Sequence, residues 1–449
     1  MQLPWKNRGL CLFAGVWLVY SVCPPFLSYD SYWSVATALS LLEHGNTRLD
    51  SYVAAAPREA EYGVECVPAS GPAVTRSIAV GCAEGHWYSS FPLGTAVLAL
   101  PLLAIMKGVV AVLGPLAPHT GFFARQEVAA FFAGDLLRGR PLAELWCAST
   151  IGAFTVWLQY EIGLLFFSRR GATWYALLFA FGTTEFSLAS RNLYPHGLTL
   201  MLLSAALYLL LKEWRSPGRA SVLTGFVLAA AFAVRPSNAI SCLVLALYVC
   251  IHKRSCFVWL LTGAAPVAML FFGYQLLVRH SLIPLYVTQS KNSNPLWEGL
   301  LMNLFSPSRG LFVFTPVFVV SIIGMWLATK WRWCDTLPPY LIGIVALHSL
   351  TIAVLWPGHC YGPRYYADLT HLLMFFLIPA ILWWQRSAAR ARGACAAAFL
   401  VLAGWGVFVH VHGATSIAAN QWSALPVNVD DARWRVWDWH DPQFLRGLR

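Results

Sequence analysis

Apolar runs of about twenty residues recur along the whole 449-residue chain, and this repetition restricts the fold more than any other feature. A helix advances ~1.5 Å per residue, so crossing a hydrocarbon core about 30 Å thick takes ~20 apolar residues. Eleven runs reach or approach that length: 9 to 27, 144 to 167, 171 to 190, 194 to 211, 219 to 235, 237 to 251, 256 to 278, 310 to 329, 338 to 355, 369 to 385 and 394 to 410. No stretch between them is polar enough for a soluble domain, since only 11% of the residues are charged against roughly 25% in soluble proteins. Disordered, collagenous and nucleic-acid-binding classes are excluded on the same ground. The expectation is an all-α polytopic membrane protein with about eleven transmembrane helices.

A twelfth run, 91 to 114, is apolar but carries Pro101 and Lys107. If it does not cross, then Lys6/Arg8, Arg169/Arg170, Lys212/Arg215/Arg219, Lys253/Arg254, Lys330/Arg332 and Arg386/Arg390/Arg392 share one side, with only Glu213 and Asp335 among them. That asymmetry satisfies the positive-inside rule and makes the side cytoplasmic. A single crossing by 91 to 114 would turn every later cluster outward while Lys6 and Arg8 stayed in. The run is therefore expected to be re-entrant or interfacial, unless a second crossing lies within 115 to 143. The net charge of +11 reads as orientation, with no nucleic-acid partner. The first run begins like a signal peptide, but Cys23-Pro24-Pro25 follows it in place of a cleavage site, so it is expected to stay as the first span.

This threading leaves outer segments at 28 to 143, 279 to 309, 356 to 368 and 411 to 449. The expected organisation is a transmembrane catalytic domain over residues 1 to 410, with juxtamembrane helices in its large first outer loop, and a short outer tail over 411 to 449. Asp, Arg, His and Tyr concentrate on this face, where ionisable groups must be paired or functional.

Asp30 directly follows the first run, and Trp33, Ala36, Leu39, Ser40 and Glu43 then recur at helical spacing, as in an amphipathic surface helix. Asp30 is placed either to cap that helix or to act as a general base. The segment GHWYSSFPLGTAVLALP, which contains Tyr88, turns a polar aromatic loop into the run at 91. Trp356 to His371, WPGHCYGPRYYADLTH, is the densest polar cluster: its Gly and Pro residues set tight turns, and the Arg364 guanidinium with His359 and Tyr365 beside it suits a phosphate. Arg191 and His196 in RNLYPHG, Arg235, and Arg309 in FSPSRGLF add further cations to the same face, each also readable as a snorkelling or capping residue. Cys66 and Cys82, with 15 residues between them in the first outer loop, are expected to form a disulfide, and Cys360 to stay reduced. No CxxC or zinc spacing, P-loop or dinucleotide fingerprint occurs, so neither a zinc site nor nucleotide-driven transport is expected.

These segments together, an acid after the first span, a YSxFPxG-type loop, RNLYPHG, SRGLFVFTP and WPGHCYGPRYYAD, resemble the C-type glycosyltransferases. Within them the chain is similar to bacterial enzymes of the protein O-mannosyltransferase and lipid A aminoarabinose transferase kind. The resemblance covers nearly the whole chain and implies a bacterial inner-membrane enzyme whose active site faces outward. It implies inverting transfer of a sugar from a polyprenyl-phosphate donor to a hydroxyl on an extracytoplasmic acceptor, with a divalent cation optional and membrane lipids around it. Arabinose is one option for the sugar; an envelope glycan, a lipid or an exported protein such as a pilin are options for the acceptor. By resemblance Asp30 is the catalytic acid/base position. Ser31 stands where many relatives carry a second acid and Ser90 where many carry a Lys, which moves the phosphate-binding expectation to Arg364, with Arg191 and Arg309 behind it and His359, His196, Tyr365 and Tyr88 around the substrate. The competing readings are a flippase or transporter of lipid-linked sugars, which needs paired ionisable groups near the bilayer midplane, and a glycan ligase or polymerase, which is expected to centre on a large late outer loop.

Overall fold

The computed structural model describes residues 8–26, 28, 30–54, 56, 58–69, 71, 73–75, 77–118, 120–215, 220–284 and 294–448. The expected basic residues Lys6 and Arg219 lie outside them. Helices account for most of the chain: α1 (Arg8–Ser21), α2 (Tyr32–His44), α3 (Gly94–Leu113), α4 (Gln126–Phe132), α5 (Arg140–Leu164), α6 (Arg169–Gly182), α7 (Pro195–Arg215), α8 (Ala220–Val234), α9 (Ala239–His252), α10 (Arg254–Arg279), α11 (Leu296–Phe305), α12 (Phe318–Lys330), α13 (Leu337–Ala353), α14 (Thr370–Gln385) and α15 (Ala389–Thr415).

The purely α-helical expectation needs one correction. Between α2 and α3, β1 (Val64–Pro68) and β2 (Gly85–Ser89) form an antiparallel pair with Cys66 opposite Trp87. Val64, Val67, Trp87 and Tyr88 have the branched and aromatic side chains that suit a pleated, half-buried surface. The Cys66–Cys82 bridge closes the loop between the strands. Replacing Cys66 by Ser is expected to cost ~3 kcal/mol of stability, the typical value for a loop of this size. A thermal melt in detergent that is unchanged by the substitution would reject this role for the bridge.

Among the described residues, five helical segments are long and apolar enough to cross a membrane: Gly94–Leu116, Pro195–Lys212, Arg254–Arg279, Arg364–Gln385 and Ala389–Thr415. On α10 and α15, Met269, Leu270, Leu277, Leu400 and Val401 are largely exposed, a surface suited to lipid and costly in water. Several other expected spans form shorter apolar helices, namely α1, α8, Pro236–His252, α12 and α13. At one end of the bundle several helices border irregular turns. There α6 gives way to a π-turn (Glu185–Ala189), α8 to a short turn at Pro236–Asn238, and the segment before α14 to a 3-10 turn at Arg364–Leu369. Irregular backbone of this kind is tolerated at membrane depth only where protein or a polar cavity surrounds it.

The loops that carry basic residues meet at the other end. Arg8 and Arg170 line one groove, Phe166 meets Trp333 in a tilted contact with centroids 4.8 Å apart, Arg386 lies over Trp331, and His252 Nε2 is 3.0 Å from the Tyr340 hydroxyl.

Helix α3 has the length of a span, yet both of its ends abut the end of the bundle opposite the basic loops. Gly94 meets the backbone of Ala233, beside Arg235, so closely that a Cβ would lie 2.6 Å from its carbonyl carbon. Gly114 meets the Phe132 carbonyl in the same manner, and α4 packs on the first turns of α5, with Phe131 5.0 Å from Trp146. Between these contacts α3 runs over α2, where Lys107 Nζ is 2.6 Å from Glu43 Oε1 and holds that carboxyl below its usual pKa. Ile105, Val112 and Leu116 point outward from this layer.

The contacts of α3 also correct the view of α2 as a surface helix. Not only Trp33, Ala36, Leu39 and Ser40 but also Val35 and Ala38 are buried, because α3 covers one side and the hairpin another. Trp33 donates through Nε1 to the Ala60 carbonyl at 2.7 Å. The tail is equally integrated: α15 runs to Thr415, past the expected boundary at 410, after which Trp422, Val429 and Val436 cluster with Met302 against Trp356.

Candidate functional site

Asp30 occupies the turn before α2, and its carboxylate pairs with the Arg364 guanidinium. Asp30 does not cap α2, whose N-cap position is Ser31 without a side-chain cap. Each member of the pair is 16% exposed, so water reaches the site but does not fill it. Arg364 lies over the rings of Tyr194 and Tyr365, at 5.3 and 5.7 Å from their centroids. Two aromatic faces around a guanidinium stabilise its charge and fix its plane.

A buried network stands behind Arg364. Its Nε donates to His196 Nε2 at 3.4 Å, and His196 Nδ1 is 3.0 Å from Asp368 Oδ1. Arg235 Nη1 also lies 3.0 Å from His196 Nδ1; because arginine only donates, Nδ1–H donates to the carboxylate, Nε2 accepts from Arg364, and the Arg235 approach to Nδ1 is a contact rather than a hydrogen bond. Asp368 is fully buried; it also pairs with Arg235 and accepts from the Thr199 hydroxyl at 3.2 Å. A buried carboxylate is tolerable only with such compensation, and here two cations or donors and a hydroxyl supply it.

A second network positions the segment that bears Asp30. Glu144 on α5 accepts from the Ser31 hydroxyl and from the Leu193 amide, 3.3 Å away, while Arg140 bonds both Glu144 Oε1 at 2.8 Å and the Ser28 carbonyl at 2.9 Å. Arg140 also stacks on Tyr32 with its carbon 4.4 Å from the ring centroid. One buried acid on α5 therefore ties the Asp30 turn to the RNLYPHG segment.

Of the residues expected at the site, the structure brings together Asp30, Arg364, Tyr365 and His196. Arg191 lies elsewhere: it is buried against Tyr20 and Phe186 and donates to the Tyr20 carbonyl at 2.9 Å. Arg309 binds the Gly358 carbonyl at 2.9 Å, Gln443 Oε1 at 2.8 Å and Ser423 at 3.1 Å, so it fastens the tail to the Trp356–Arg364 loop. His359 sits on the exposed rim, 2.9 Å from Asn428 and 3.6 Å from Asp430. Tyr88 is on β2 opposite Glu65, whose buried carboxylate pairs with Arg279 at the end of α10. Cys360 is a free, buried thiol.

Sequence reading undervalued Asp368 and Arg235 and overlooked Tyr194, Glu144 and Arg140. Tyr194 and His196 stand in one motif, but the partnership of Asp368 with Arg235 spans 133 residues and carries no local signal. Among the described residues no group of three or more His, Cys, Asp and Glu side chains is arranged to hold a metal ion. Asp30 and Asp368 do not form a divalent-cation cradle, because guanidinium groups already occupy both carboxylates. Chemically, the site offers one accessible carboxylate beside one oriented cation, with a neutral imidazole and a second cation behind. No protein-family model matches the chain, and no curated protein matches it in sequence.

Proposed function

We propose that the chain is an inverting membrane glycosyltransferase that moves a sugar from a polyprenyl phosphate to an acceptor hydroxyl. The observation that carries this reading is the meeting of Asp30 and Arg364, 334 residues apart in sequence, at the end of the bundle opposite the basic loops. On the positive-inside rule that end faces away from the cytoplasm, where no nucleotide is needed because the donor is already activated. The helix α3, applied to that end, supports an interfacial rather than a membrane-crossing role for residues 91 to 114.

In this reaction the Asp30 carboxylate takes the proton of the acceptor hydroxyl, and the oxygen forms a bond to the anomeric carbon from the face opposite the phosphate. The bond from that carbon to the phosphate oxygen breaks, and its electron pair stays on the phosphate. Arg364 receives the charge that develops there; one well-aimed donor in a poorly hydrated site contributes roughly 3 to 4 kcal/mol to such a step. His196, held by Asp368, keeps the guanidinium plane fixed, so the transition state meets a preorganised cation.

The test is reconstitution in nanodiscs with a polyprenyl-phosphate sugar and candidate acceptors. Release of polyprenyl phosphate in step with acceptor glycosylation is expected. Arg364→Lys keeps the charge but loses the planar fork, and should weaken both lipid-phosphate binding and turnover. In sealed vesicles, movement of intact lipid-linked sugar between leaflets without release of lipid phosphate would reject the enzyme in favour of a flippase.

A further inference from the structure

We infer that the Asp30–Arg364 ion pair is a donor-operated mask, in which each residue blocks the other until a lipid phosphate takes the place of Asp30 on Arg364. The inference rests on the proposed transfer reaction and adds a binding order to it. In the resting molecule the one accessible carboxylate of the site is engaged by a guanidinium. A carboxylate in that state has its oxygen aimed at the cation and is not presented to an acceptor hydroxyl. The same contact neutralises the cation that the phosphate requires.

Geometry allows the two halves of the pair to separate unequally. Arg364 has other anchors: His196 Nε2 accepts from its Nε at 3.4 Å, and the rings of Tyr194 and Tyr365 flank it. Asp30 sits in a turn, held through its backbone amide by the Ser28 hydroxyl at 3.2 Å, and its carboxylate hydrogen-bonds Arg364. An arriving phosphodiester carries the same charge as the carboxylate and accepts the guanidinium fork as well or better. Arg364 therefore stays in place and changes partner, while Asp30 is released towards the acceptor. Before the donor binds, a water or acceptor hydroxyl meets a paired carboxylate.

Undecaprenyl phosphate is the probe, because it presents the leaving group without requiring the sugar to be identified. It would be titrated into the full-length protein in detergent, with Asp30→Asn and Asp30→Ala beside the parent, so that one variant remains if the other does not fold. Removing the competing charge should tighten binding by ~3- to 10-fold, a modest exchange energy for a partly solvated pair, with the larger gain in Asp30→Ala, which leaves no oxygen on Arg364. Unchanged or weaker binding in the folded variants overturns the mask. Measured transfer separates this from the parent reading: tighter binding with transfer lost supports both, tighter binding with transfer intact keeps the mask and rejects Asp30 as base, and weaker binding with transfer lost rejects the mask alone.

Discussion

Asp30→Asn is expected to lower the rate of sugar transfer by about 10² to 10⁴ while leaving the protein folded and inserted, the usual contribution of a positioned general base. Asn keeps the shape of the side chain and an oxygen that accepts from Arg364, so the turn before α2 retains its geometry. What disappears is the capacity to take a proton. Had Asp30 been a helix cap the change would be nearly silent, because Asn caps about as well as Asp. The structure removes that option, since the Asp30 carboxylate faces Arg364 and the N-cap position belongs to Ser31. Steady-state transfer by the purified variant is the measurement. Near-parental turnover would reject Asp30 as the base and leave His196 as the next candidate within contact of Arg364.

A second large effect is expected in stability. Arg235→Leu leaves Asp368 fully buried without its cation, and breaking a buried pair by removing one partner costs about 3 to 5 kcal/mol. His196 and Thr199 still contact Asp368, which places the expected loss at the lower end of that range. The double variant Arg235→Leu with Asp368→Leu removes both charges and should recover part of the loss, because no uncompensated charge remains. Thermal unfolding in detergent, followed by the fraction that stays monodisperse, measures both. A single variant as stable as the parent would show that the pair contributes little and that the hydroxyl and imidazole suffice for Asp368.

The two predictions separate the layers of the site. Asp30 and Arg364 are partly reachable by water and are assigned to the reaction. Arg235 and Asp368 are sealed from it and act through His196 on the orientation of Arg364. Substitution in the inner layer should therefore reduce folded protein first and turnover second, whereas substitution of Asp30 should do the reverse.

The repeated apolar runs and the basic residues between them were legible without any structure, because crossing a hydrocarbon core and sorting charge across it are local demands on composition. The Arg8, Arg170, Arg332 and Arg386 loops do come together at one end, and Cys66 and Cys82, read as a pair from their shared loop, are bridged. Single residues with a local peculiarity were legible too: Asp30 at the end of an apolar run, and Arg364 in a Gly- and Pro-rich turn. Tertiary structure decided what no window of sequence contains. Cations such as Arg191, Arg309 and Arg364 look alike along the chain, and only their partners distinguish them: the Tyr20 carbonyl and rings for Arg191, the tail for Arg309, Asp30 for Arg364. The Val64–Pro68 and Gly85–Ser89 strands escaped notice because each is five residues long and becomes a strand only against the other. In sequence Asp368 merely precedes the apolar run at 369 to 385, yet in the fold it is the hub that Arg235, His196 and Thr199 share. Burial turns such contacts between distant residues into strong interactions, since a charge removed from water must find its partner wherever the fold places one.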